Sequence, residues 1–208
     1  MRQVCNIVVA GVGGQGVLST ARLLGRASTM AGLDVRGGQI YGLSQRGGSV
    51  EATVRIGPVG TAFISAAEAD VVLGFEPLEA ERILPRMSAA TTVLVNQTPI
   101  VPASLTLDRS AYPELASIVE EIGATAGVVE VVDGNEMAAD VGDPRLLNIV
   151  MLGAADGFRL LPIPSDALAT VVENYGAASD PEARSRAFHV GRVAGAARLQ
   201  ASGSSTGA

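Results

Sequence analysis

Three glycines, Gly11, Gly13 and Gly16, stand at the spacing G-x-G-x-x-G between an apolar run and a helical pattern. That is the context in which such a loop turns tightly, lets a ligand approach bare backbone, and presents the free N–H groups and positive end of a helix to an anion. A dinucleotide site also needs an acid at the end of the next strand to hold the ribose. Here that region reads DVRGGQIYG, with Asp34 at its start and no Asp or Glu at its end. The same glycines could simply make a tight strand-to-helix turn packed against a neighbour. A second glycine group, Ser44-Gln45-Arg46-Gly47-Gly48, sets a planar cation among residues of little bulk. Such a loop can grip a carboxylate or phosphate bidentately, or close an internal salt bridge, and residue types alone leave the two even.

Other polar residues have a structural and a functional reading side by side. Gln15 could offer its amide to a ligand, with satisfaction of the turn backbone favoured. Glu76 follows an apolar strand, where crevices form at strand carboxyl ends, but a cap for the next helix is favoured. Asn96 has the same position and the same ambiguity. Asn148 falls in an apolar helical stretch, and a buried Asn must be hydrogen-bonded, which favours a core anchor. His189 has no Ser, Cys or Asp partner at a recognisable spacing, so a surface or interface role is favoured.

Composition narrows the chemistry. One cysteine, Cys5, cannot close an internal disulfide or hold an iron–sulfur cluster, and one histidine excludes a poly-His metal centre. With 15 Lys+Arg against 21 Asp+Glu and no basic cluster, nucleic acid is not expected as a partner. No apolar run is long enough to cross a bilayer and no signal segment is evident, so a cytoplasmic location is expected.

The elements that must position these residues alternate. Strands are predicted at Val4–Ala10, Asp34–Ile40, Ser49–Ile56, Ala69–Phe75, Thr91–Gln97 and Gly127–Gly134. Helices are predicted at Val17–Ala31, Pro77–Met87 and in a stretch ending at Ile122, and the pattern is helical from Asn135 onward, with breaks at Gly142-Asp143-Pro144, Pro162–Pro164 and Gly176. Asp180-Pro181 is a good start for the last helix. In the segment Ser49–Ile56, Val50, Ala52, Val54 and Ile56 alternate with Glu51, Thr53 and Arg55, the pattern of a half-exposed antiparallel strand. The 3% aromatic content puts the core on Val, Leu, Ile and Ala. Together these features predict an α/β, Rossmann-like fold: a mainly parallel sheet with an added antiparallel strand and a helical C-terminal part. One domain is expected over residues 1–201, with 202–208 a disordered tail. The high apolar fraction also suggests that one face is kept for self-association or a partner.

The combination GVGGQG, YGLSQRGGSVEATVRIG and EADVVLGFEPLEAER, with NIVMLGA at Asn148–Ala154 and AFHVG at Ala187–Gly191, resembles the gamma-type subunit of the 2-oxoacid:ferredoxin oxidoreductases. The SQRGG form is closer to the indolepyruvate branch, where the subunit is called beta. The resemblance runs from about Asn6 to about Gly191. It implies an accessory, non-catalytic subunit of an enzyme that decarboxylates 2-oxo acids, aryl pyruvates in this branch, to acyl-CoA. It further implies that thiamine diphosphate with Mg and the 4Fe-4S clusters sit on a large partner subunit, that ferredoxin meets the complex through that partner, and that this chain alone binds no cofactor. Under it, Gly11, Gly13, Gly14, Gln15, Gly16, Ser44, Gln45, Arg46, Gly47 and Gly48 would line the substrate and CoA cleft or the subunit interface. The reading of another class is a free-standing Rossmann-type oxidoreductase that uses NAD or a flavin.

Overall fold

The computed structural model describes residues 4–41, 48–100, 112–176 and 180–204. Six strands form one sheet: β1 (Cys5–Val12), β2 (Val35–Tyr41), β3 (Ser49–Ile56), β4 (Val71–Gly74), β5 (Thr92–Asn96) and β6 (Val128–Val132), in the order β2-β3-β1-β4-β5-β6. From β1 through β4 and β5 to β6 the strands are parallel. β3 is antiparallel to both of its neighbours, β1 and β2. β2 therefore runs in the direction of β1 without touching it.

Among the described residues the sheet is accompanied by seven α-helices: α1 (Val17–Met30), α2 (Pro77–Glu81), α3 (Leu115–Gly123), α4 (Gly134–Asp140), α5 (Leu147–Gly157), α6 (Ser165–Glu173) and α7 (Pro181–Ser204). The sheet divides the apolar residues into two cores. On one face Ile7, Val9, Val54, Leu73 and Leu94 pack with Leu23 and Leu24 of α1 and with the wholly buried α5. On the other, Val8, Ala10, Val72, Val93 and Val95 meet Ala80 of α2 and Ile118 and Ile122 of α3. This is the period-two partition of strands buried on both sides.

Three elements depart from the sequence reading. The helix expected over Pro77–Met87 ends at Glu81, and a 3-10 turn, Leu84–Arg86, follows. Pro85 explains the length: its ring clashes with the carbonyl four residues earlier, that of Glu81, and it brings no N–H. The polar side of β3 is also less open than its alternation suggests. Thr53 is buried, and its Oγ1 donates to Ala62 O at 2.8 Å. Arg55 donates to Phe63 O and to Asn6 Oδ1, each at 2.8 Å. Glu51 is held at 2.9 Å from Arg86 as an ion pair rather than an aligned hydrogen bond, and burial pushes its carboxyl above the ordinary range against the pull of that arginine. The segment between β3 and β4 thus folds back over this face and supplies carbonyls to its polar side chains. The last helix runs through Ser204, three residues into the stretch read as a tail, and 205–208 lie outside the described residues.

Candidate functional site

The carboxyl ends of β1 and β2 lie at one edge of the sheet. The register shows it: Val12 is opposite Ser49 and Tyr41 is opposite Val50, at the start of β3. The two glycine groups flank this edge and are joined there, because Gly13 N–H donates to Gly48 O at 2.9 Å. Of the second group, Ser44, Gln45, Arg46 and Gly47 lie outside the described residues.

The first loop is built for close approach. Gly14 and Gly16 have φ of 107° and 86°, left-handed values that cost other residues strain. Gly16 is the N-cap of α1 and adds no capping side chain. The N–H groups of the first helical turn have no partner inside the helix by construction. A Cβ on Gly16 would fall 2.8 Å from the Asn148 side chain, so α5 lies directly against the turn. A Cβ on Gly11 would meet Gln15 Oε1 at 2.8 Å and Val17 at 2.9 Å.

The amide of Gln15 bridges the crevice between β1 and β4. It accepts from Val12 N–H at 2.7 Å and donates to Phe75 O at 2.7 Å. Its side chain is therefore committed to the scaffold. Glu76 caps α2 through Glu79 N–H at 2.9 Å and also accepts from Ile100 N–H at 3.2 Å and from the Tyr112 hydroxyl. Burial, reinforced by that last bond, pushes the Tyr112 hydroxyl well above its ordinary range. Asn96, fully buried, donates to Phe75 O at 3.0 Å and to Asn135 Oδ1 at 2.9 Å, and it accepts from Gly134 N–H at 3.0 Å. Three polar residues at one edge thus hold the ends of β1, β4 and β5 together. Asn148 is also buried, between α5 and the turn. Replacing Asn96 with Leu is expected to cost about 3 kcal/mol, since it orphans buried backbone groups. Urea unfolding followed by circular dichroism checks this, and a loss under 1 kcal/mol would show that these bonds are dispensable.

Tyr112, Asn135 and Phe75 O are members of this network that the sequence did not single out. Asn135 follows the sixth predicted strand and Phe75 ends the fourth. Among the described residues no group of three His, Cys, Asp or Glu side chains is placed to hold a metal.

Because β3 stands between β1 and β2, the strand after α1 is not beside the glycine turn, as it is in a dinucleotide-binding sheet. Its end also lacks the acid that would take a ribose. The fold and edge define an α/β domain whose glycine turn packs closely against α5 and which lacks the second half of a dinucleotide grip.

Comparison with known proteins places the chain further. The family model described as pyruvate ferredoxin/flavodoxin oxidoreductase matches residues 6–191. The chain is 42% identical over 163 residues to the indolepyruvate oxidoreductase subunit IorB of Methanothermobacter thermautotrophicus, covering 78% of this chain and 83% of that one. It is 36% identical over 190 residues to the subunit of the same name from Thermococcus kodakarensis, covering 89% and 93%. Among solved structures it resembles the pyruvate oxidoreductase subunit PORC of Thermotoga maritima, with a TM-score of 0.68, 23% identity and coverage of 92% and 97%. It also matches 2-oxoglutarate:ferredoxin oxidoreductase from Magnetococcus marinus, whose structure contains 2-oxoglutarate, coenzyme A and succinyl-CoA. The TM-score there is 0.72 at 20% identity, over 95% of this chain and 32% of that longer one. The chain belongs to the pyruvate ferredoxin/flavodoxin oxidoreductase family, and within it is a gamma-type subunit of the kind represented by these IorB proteins.

Proposed function

We propose that this chain completes an enzyme that oxidatively decarboxylates aryl 2-oxo acids, such as indolepyruvate, to acyl-CoA, with ferredoxin as electron acceptor. The observation that carries the substrate branch is the identity with the two IorB proteins, sustained over most of the chain. The SQRGG loop agrees with it. The complex works in the cytoplasm.

A single cysteine cannot ligate a 4Fe-4S cluster, and no described acidic cluster suits a Mg-diphosphate. The cluster does not fit this chain and the described residues offer no such metal site, so we place both groups on a large partner subunit. What this chain supplies is a wall of the cleft. Gly13, Gly14 and Gly16 let a ligand approach backbone N–H groups, and Gly11 and Gln15 keep the turn in place. We propose that Arg46, in the loop whose last residue Gly48 is joined to the turn, holds an anionic group, the substrate carboxylate or a CoA phosphate.

Reconstitution tests this reading. The isolated chain is expected to be colourless and inactive, and 1 mM NAD should leave its melting temperature unchanged. Adding the large subunit encoded by the same genome should give indolepyruvate-dependent, CoA-dependent reduction of ferredoxin. A tight ligand raises stability by mass action, so an upward shift with NAD, or turnover by the chain alone, would favour a free-standing oxidoreductase instead.

A further inference from the structure

Away from the glycine edge, a groove runs between α1 and the free edge strand β2. It consists of two cavities of about 470 and 460 Å³ that share Ala21, Arg22 and Gly37. Its floor is Val35, Ala52 and Val54, and its wall on α1 includes Leu18, Gly25 and Thr29. These α1 positions recur at three- and four-residue intervals and so form one stripe. From Leu18 to Thr29 the stripe is about 16 Å long at roughly 1.5 Å per residue.

Two glycines keep the groove open, and nothing among the described residues requires either of them. A Cβ on Gly25 would meet no atom within 4 Å, and one on Gly37 only Thr53 O at 3.8 Å. Neither has a positive φ. Gly38 differs, since its Cβ would strike Thr53 Oγ1 at 2.9 Å. Glycine inside a helix or strand is unfavourable for the isolated element, and in a strand it often marks close approach of another backbone. Gly25 and Gly37 line the same cavity, opposite one another.

The rim is basic on an acidic chain. Arg22 and Arg26, which line it, are exposed, and among the described residues neither forms an ion pair. Arg26 instead lies over the Tyr175 ring, 5.6 Å from its centroid. On a chain of net charge −6, two exposed arginines without an ion-pair partner among the described residues, beside an apolar trough, call for an acidic occupant. A second copy is a poor candidate. Of the described helices besides α1, only α7 exposes large apolar residues, Val193 and Leu199, and it carries Arg184, Arg186, Arg192 and Arg198 against a single acid, Glu182.

We propose that this groove docks an acidic amphipathic helix of the partner subunit, laid beside α1 over β2 and β3. Ala21 and Gly25, four residues apart, admit close helix–helix contact, and the docked helix extends the layer that α1 begins on that face. The inference rests on the reading of this chain as a subunit of a larger complex.

Binding of the purified large subunit to this chain, measured in moderate salt, tests it. The double variant R22E/R26E and the groove-filling variant Gly37→Leu are each expected to weaken binding at least about tenfold while circular dichroism and melting temperature match the wild type. A photoreactive cross-linker on Thr29→Cys should attach to an acidic helical segment of the large subunit. Unchanged affinity of both well-folded variants, or cross-linking to a basic segment, overturns the groove and leaves the subunit reading standing. If wild-type chain does not bind the large subunit at all, both fall. If the substitutions instead break up a homodimer, the occupant is a second copy and the proposal is wrong.

Discussion

Alanine at Gly191 is expected to lower stability by about 2 kcal/mol, and leucine there to prevent folding. The reason lies in how α5 and α7 meet. A Cβ on Gly191 would stand 2.0 Å from Val150 O and 2.9 Å from Ala154 N, and both of those atoms are backbone. The contact is reciprocal. A Cβ on Gly153 would fall 2.1 Å from Phe188 O, one on Gly157 2.2 Å from Arg192 O, and one on Gly195 2.4 Å from Ala154 O. Two pairs of glycines, each four residues apart, thus let the two helices touch along their backbones. Alanine gains about 1 kcal/mol of helix propensity over glycine, but here it must push two helices apart and open the core around the buried α5. The second effect is the larger. The melting temperature should fall by roughly 4–8 °C. Gly25→Ala is the control: with open space around its Cβ, it should hold or raise the melting temperature. If Gly191→Ala is as stable as the control, the close packing of α5 on α7 is not a constraint on the fold.

The two stretches that meet there, NIVMLGA and AFHVG, stood out in the sequence only as marks of the family. Their four-residue glycine spacing was on view, but spacing within one helix does not reveal which helix lies against it. The same limit runs through the rest of the fold. The strand, turn and helix from Cys5 to Met30 were legible because the signals are local: an apolar run, glycines, then helical periodicity. The antiparallel nature of β3 was legible from alternation. Its place between β1 and β2 was not, since strand order is decided by pairing between distant segments. The short α2 was readable in principle from Pro85 and was missed because the apolar pattern continues past it. At the edge, the structural roles favoured for Gln15 and Glu76 agree with their hydrogen bonds. For Asn96 the sequence left two roles open, because it shows a donor and an acceptor but not Phe75 O and Gly134 N–H, the backbone groups they reach.

Arg46→Ala is expected to leave the chain folded and able to assemble while lowering turnover of the assembled enzyme roughly 10- to 100-fold, the range for losing hydrogen bonds to a charged group. The residue lies outside the described part of the chain, but both sides of its loop are tethered. Tyr41 pairs with Val50 at the end of β2, and Gly48 O receives Gly13 N–H at 2.9 Å. Tyr41 and Gly48, the described residues on either side of 42–47, both lie at the carboxyl edge, beside the glycine turn and the N-terminal end of α1. A helix N-terminus already favours an anion there, and a guanidinium adds a planar, two-pronged donor. Lysine at this position should restore only part of the rate, since it keeps the charge and loses the fork. Steady-state kinetics should place the loss in kcat/KM for the anionic ligand that Arg46 holds, which separates the 2-oxo acid from CoA when each is varied in turn. A mutant complex that assembles correctly and keeps full activity, while the isolated Arg46→Ala chain unfolds more readily, would make the arginine an internal clamp of its loop and remove it from the cleft.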